Sequence, residues 1–184
     1  MRSLILIAPL ALALGACQAK EETKPAAPAD TTAAKSDAAA PAAAAPTTLA
    51  TMPTAALAGE QAVAAQKSRH DKFEAMGDAM KALSREARAA TPDMTVVKTN
   101  AAVLVNSSAE LPGWFAPGTG PEAGKTEAKA EIWKTPDDFA AKAKAFHEAA
   151  PQLAAATDGA AFKAAMDPVG KACKSCHDSY RAED

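Results

Sequence analysis

The stretch Lys171-Ala172-Cys173-Lys174-Ser175-Cys176-His177-Asp178-Ser179-Tyr180-Arg181 decides how the chain is read, because it contains C-x-x-C-H. Two thiols at that spacing can add to the two vinyl groups of a haem while the following histidine reaches the iron. Cys173, Cys176 and His177 are therefore the candidate anchors of one covalent haem c, with His177 as the axial ligand. Competing chemistries fit less well. A zinc site needs further ligands, and the other histidines are only His70 and His147. A redox dithiol of the thioredoxin kind would open a helix in a βαβ pattern, and no strand-then-helix pattern is present.

Working back from the motif, Asp158-Gly159 predicts the start of a last helix whose inward residues are Phe162, Met166, Val169, Cys173, Cys176 and Tyr180. Spacings alternating between three and four put both thiols in the apolar stripe. The helix before it starts at Thr135-Pro136-Asp137-Asp138, with Thr135 as cap and Pro136 in the first turn. Its stripe is Phe139, Ala143, Phe146, Ala150 and Leu153, with His147 at the edge and Pro151 placed to kink or shorten it. Leu111 to Gly124, broken by Pro112-Gly113, Pro117-Gly118 and Gly120-Pro121, predicts a loop, with Trp114 and Phe115 packing over the end of a bundle. A short helix is expected from about Thr126 to Trp133, with Trp133 in the core.

Two further amphipathic helices precede the loop. Glu60 to about Ala90 carries Phe73, Met76, Met80 and Leu83 on one stripe, with Arg69 four positions before Phe73 on the same face. Arg69 is either a solvated edge of that stripe or a partner for a haem carboxylate. Pro92 ends this helix, and Met94, Val97, Ala101 and Leu104 mark the second. Four such stripes predict an all-α, antiparallel four-helix bundle with the haem held against its inner face.

The N-terminus is of another kind. Met1-Arg2-Ser3 and the apolar Leu4 to Leu14 read as a signal peptide over 1–16, too short for an ordinary membrane span. Leu14-Gly15-Ala16-Cys17 resembles a lipobox, which makes Cys17 the expected lipidated residue and a bacterial membrane the expected partner. The chain has three cysteines, so two on haem and one on lipid leave no thiol over. The Ala- and Pro-rich segment 18–58 is expected to be a disordered tether, because it has almost no large apolar side chains to offset the entropy of ordering. As a coil it would reach on the order of 35 Å. That leaves 59–184 as the haem domain. A formal net charge of −2 argues against nucleic acid as a partner.

Over 59–184 the chain resembles cytochrome c′, the four-helix class II c-type cytochromes. Cys173-Lys174-Ser175-Cys176-His177-Asp178-Ser179-Tyr180-Arg181 is similar to the family's C-K-x-C-H-x-x-Y-R. Pro117-Gly118-Thr119, Glu131-Ile132-Trp133 and Arg69 with an apolar residue four further on add to it. The resemblance implies that Arg69 meets a haem propionate, that Phe73 covers the distal face without ligating, and that Arg181 shapes the proximal side. It further implies five-coordinate iron with His177 as its sole protein ligand, nitric oxide or carbon monoxide as gaseous ligands, and pairing into a homodimer. Two features depart from the pattern: Asp167-Pro168 inside the last helix, and the lipobox with its tether.

The expected function is that of a periplasmic, lipid-anchored c-type haem protein that binds small gases or passes single electrons to a redox partner protein. Phe73 and Met76 would then cover the distal face. A first alternative is a low-spin electron carrier in which Met76 or Met80 ligates iron. A second is a haem enzyme, a peroxidase or nitric oxide reductase, which would need a distal acid–base group such as His70 or His147.

Overall fold

The computed structural model describes residues 48–183. The expected signal peptide, Cys17 and most of the expected tether lie outside the described residues. Within them the chain forms α1 (Gly59–Arg88), α2 (Met94–Glu110), a one-turn α3 (Glu131–Lys134), α4 (Pro136–Ala155) and α5 (Gly159–Tyr180). Two 3-10 turns, Leu111–Trp114 and Pro121–Ala123, punctuate the long connection between α2 and α3. Strand pairing among the described residues is limited to one isolated antiparallel bridge, Ala128 with Arg181.

The long helices pack in chain order, α1 on α2, α2 on α4 and α4 on α5, around one core of Leu83, Val97, Leu104, Phe139, Leu153, Phe162 and Val169. The return seam between α5 and α1 is much the sparsest of the four. Asp158 caps α5 by accepting from the amides of Ala160 and Ala161, and Asp93 caps α2 by accepting from those of Thr95 and Val96.

Several expectations need correction. Thr135 makes no cap: its hydroxyl donates to the Glu131 carbonyl and lies 2.8 Å from the Tyr180 hydroxyl. The helix expected over 126–133 shrinks to α3, because residues 127–129 run beside the C-terminus instead. There Lys129 donates its amide to Tyr180 and Ala182 donates to Glu127. Pro151 and Pro168 do not end their helices, and α4 and α5 each continue past them. Each proline forfeits one amide bond while its neighbours hold the turn.

Described residues before 59 are also bonded to the bundle. Ala50 donates its amide to Ala109, Leu57 donates to Pro117, and Met52 packs against the core. The C-terminal part of the expected tether is therefore a strap held by backbone hydrogen bonds and one apolar anchor. Gly118, at φ +81°, sits under this strap, and a Cβ there would collide with the Leu57 carbonyl. Replacing Gly118 with Ala is expected to cost about 1–3 kcal/mol through the left-handed backbone and that collision. Urea unfolding of the two proteins measures it, and equal midpoints would show that the strap does not bear on Gly118.

Candidate haem site

α5 brings the three motif residues together. Its buried line is Phe162, Ala165, Val169, Ala172 and Tyr180, and Cys173 and Cys176 flank that line, partly buried against the core. Neither thiol is in a disulfide. Burial pushes both up from the ordinary thiol value, and Cys176 reaches about 11 because Asp138 and Cys173 add to the desolvation while Lys142 only partly opposes it. His177 stands at the surface of the helix. Partial burial, then the neighbouring Arg181, holds its pKa below the usual histidine value. Arg181 in turn donates to Glu127 at 2.9 Å, which ties the helix end to the 126–129 segment.

Arg69 is not a solvated edge. It is 3% exposed. One terminal nitrogen donates to the Trp114 carbonyl (3.3 Å) and the Thr119 hydroxyl (2.9 Å), the other to the Thr119 carbonyl (2.8 Å) and the Thr126 hydroxyl (3.2 Å). All these acceptors are neutral. The guanidinium also lies 4.8 Å from the centre of the Phe115 ring. Desolvation lowers its pKa to about 10, against a weaker opposing pull from Glu122, so it stays charged at neutral pH.

One turn along α1, Phe73 is partly buried and meets Trp114 edge-on at 5.4 Å and Phe115 at 6.2 Å. Met76 is buried in the core cluster, and Met80 packs at its margin. The other histidines stand elsewhere. His70 faces out and lies 3.5 Å from Glu74. His147 Nδ1 lies 3.2 Å from the Ser108 hydroxyl across the α2–α4 seam, and that hydroxyl is also within hydrogen-bond reach of the Val105 carbonyl. Neither reads as a distal acid–base group.

Bonds that the sequence reading did not foresee hold the loop and the helix ends in place. Trp133 donates its indole N–H to the carbonyls of Phe115 and Ala116, each at 3.1 Å. Gln66 donates to the carbonyls of Thr119 and Gly120. Tyr180 donates to Asp138 at 2.6 Å. The Pro117-Gly118-Thr119 motif was visible in the sequence, but its partner Arg69 lies too far away along the chain for spacing to pair them.

These residues fit a covalent haem. Two unpaired thiols flank one face of α5, a histidine follows them, the α5–α1 seam is sparse, and α1 offers a buried cation whose acceptors are all uncharged. The cytochrome c′ family model matches residues 64–181. The chain belongs to the cytochrome c′ family. A cytochrome c-554 of Cereibacter sphaeroides is 36% identical over 141 residues, covering 74% of this chain and 92% of that protein. The crystal structure of cytochrome c′ from Thermochromatium tepidum covers 70% of this chain and all of that one, with TM-score 0.62 and 28% identity. A nitric oxide complex of a mutant cytochrome c prime from Alcaligenes xylosoxidans covers 71% of this chain and 100% of that one, with TM-score 0.58 and 31% identity. The fold is the family's four-helix bundle, the cofactor is one covalent haem c, and the protein is a haem carrier of the gas-binding or electron-transferring kind.

The raised thiol values have a chemical consequence. A thiol whose pKa is raised stays protonated, and so weakly nucleophilic, until pH approaches the new value. In the haem-free chain, alkylation of Cys176 by iodoacetamide is expected to be slow at neutral pH and to keep accelerating up to about pH 11. A rate that levels off near the ordinary thiol value would mean that Cys176 is solvated.

Proposed function

We propose that His177 is the only protein ligand to the iron, that Cys173 and Cys176 hold the haem, and that Phe73 with Met76 covers its distal face so that small neutral gases enter there. The observation that carries this reading is Phe73. It is a bulky aromatic that cannot ligate, one turn from the buried Arg69 and fixed edge-on by Trp114. Arg69 receives a haem carboxylate, and Arg181 beside His177 shapes the proximal side. Nitric oxide and carbon monoxide are the proposed ligands, and the nitric oxide complex of a similar cytochrome supports the first. The haem itself supplies ligand binding and single-electron transfer. The signal over 1–16 and Cys17 support export to the periplasm and lipid anchoring of the domain.

A second reading keeps the fold and makes Met76 or Met80 a sixth ligand. It is favoured by Met80, which is only partly buried at the margin of the core and lies on the same stripe of α1 as Phe73. Against it, Met76 is already packed into the core. The visible spectrum separates the two: a broad high-spin spectrum that shifts with carbon monoxide is expected, whereas a sharp spectrum indifferent to the gas would move the assignment to methionine ligation. Phe73→Ala is expected to speed carbon monoxide and nitric oxide binding several-fold, as measured by stopped flow. Unchanged rates would remove Phe73 from the distal face.

A further inference from the structure

A cleft of about 180 Å³ opens where α1 meets the 3-10 turn, with Leu57, Ser68, Arg69, Lys72 and Trp114 on its walls. The indole nitrogen of Trp114, one of these wall residues, is buried and has no hydrogen-bond partner, alone in this among the buried side-chain polar atoms of the described residues. A donor cut off from water and left unpaired is a cost that a native protein carries only for a reason. The second tryptophan, Trp133, has its N–H bonded twice, so the difference is specific to Trp114.

What surrounds this indole is rich in donors and poor in anions. The Lys72 ammonium stands 4.8 Å from the centre of its ring and is paired outward with Glu110. Arg69 reaches the Trp114 carbonyl, so the backbone of the tryptophan and the guanidinium are tied together. The nearest acid acting on Arg69, Glu122, has its carboxylate accepting from the Gly120 amide instead. Two of the four Arg69 bonds, those to the Trp114 carbonyl and the Thr126 hydroxyl, are long at 3.3 and 3.2 Å. Charge-assisted bonds are shorter and about twice as strong, so an anionic oxygen would displace these two. The indole lacks an acceptor and the guanidinium lacks a counter-anion, and an anion with two oxygens would suit both.

We propose that Trp114 is a haem-binding residue: its indole N–H donates to the same haem carboxylate that Arg69 receives. This rests on the reading of Arg69 given above. A carboxylate has two oxygens, so one can face the guanidinium while the other takes the indole. The edge-on contact with Phe73 fixes the ring, so the donor is oriented before the haem arrives. Trp114 thereby links the carboxylate to the residue over the distal face.

The test is resonance Raman spectroscopy of the ferrous holoprotein, read at the bending band of the haem propionates, which responds to their hydrogen bonds. Trp114→Phe and Arg69→Gln are each expected to lower that band, and the carbon monoxide stretch in Trp114→Phe is expected to stay where it is. If Arg69→Gln moves the band and Trp114→Phe does not, Arg69 keeps its role and the assignment of Trp114 falls. A band unmoved by either variant would overturn both. A shifted carbon monoxide stretch with an unmoved propionate band would make the indole a donor to the gas, which also overturns the proposal. Should Trp114→Phe fail to assemble, the wild-type ferrous carbon monoxide complex answers by nitrogen-15 NMR, with the Trp133 indole signal assigned through Trp133→Phe. The Trp114 N–H signal is expected at a hydrogen-bonded position that moves as the carboxylate titrates; a signal at an unbonded position, insensitive to pH, sinks the proposal.

Discussion

Burying Arg69 is the constraint that the loop end of this bundle is arranged around. A guanidinium removed from water needs acceptors in several directions at once, and α1 alone has none to give. The chain provides them from the 114–126 segment, as two carbonyls and two threonine hydroxyls. That requirement propagates. Thr119 is fully buried and its hydroxyl also donates to the Ala116 carbonyl, which fixes the turn. Gln66, one helical turn before Arg69, donates to the carbonyls of Thr119 and Gly120 and so closes the loop from the other side. Gly118 is needed because the backbone there is left-handed and the strap runs directly over it. Trp133 then clamps Phe115 and Ala116 from α3. The long connection is as ordered as the helices because a buried charge depends on it.

The helices were legible in the sequence because their information is local. Apolar residues at three- and four-residue spacing, Asp158 at the start of the last helix, and Pro92 as a stop each act within a turn or two of themselves. The candidate haem anchors were legible for the same reason, since C-x-x-C-H is a local pattern read by covalent chemistry. What was not legible depends on partners distant in sequence. Thr135 has the composition of a cap, yet Tyr180 and Glu131 take its hydroxyl. Residues 127–129 have helix-forming neighbours, yet the backbone of Tyr180 and Ala182 captures them as an extended strip. The strap was hidden by composition: Leu49, Met52 and Leu57 are sparse among alanines and prolines, and the partners of the strap, the carbonyls of Ala109 and Pro117, lie far along the chain at the end of α2 and in the loop. Arg69 was undecided between edge and anchor because spacing gives its face but not its depth.

Position on α5 adds a further point. The centre of its buried face is occupied by Phe162, Val169 and Tyr180, which pack with Phe139 and the other core residues, while the two thiols flank that line. Had the cysteines taken the central positions, attaching a large flat group to them would compete directly with the α4–α5 contact that the bundle depends on. At the flank, the helix keeps its contact with α4 and leaves the thiols placed to carry a haem. The seam that stays sparse is the one between α5 and α1. α1 is also the helix that brings Phe73, Met76 and the buried Arg69, so a group bonded to α5 would find its apolar cover and its counter-cation on the neighbour that α5 otherwise scarcely touches. Protein packing supplies three sides of the bundle. The fourth side is the one where an apolar ring with charged carboxylates at its edge adds the most contact, because side chains there have the least of one another.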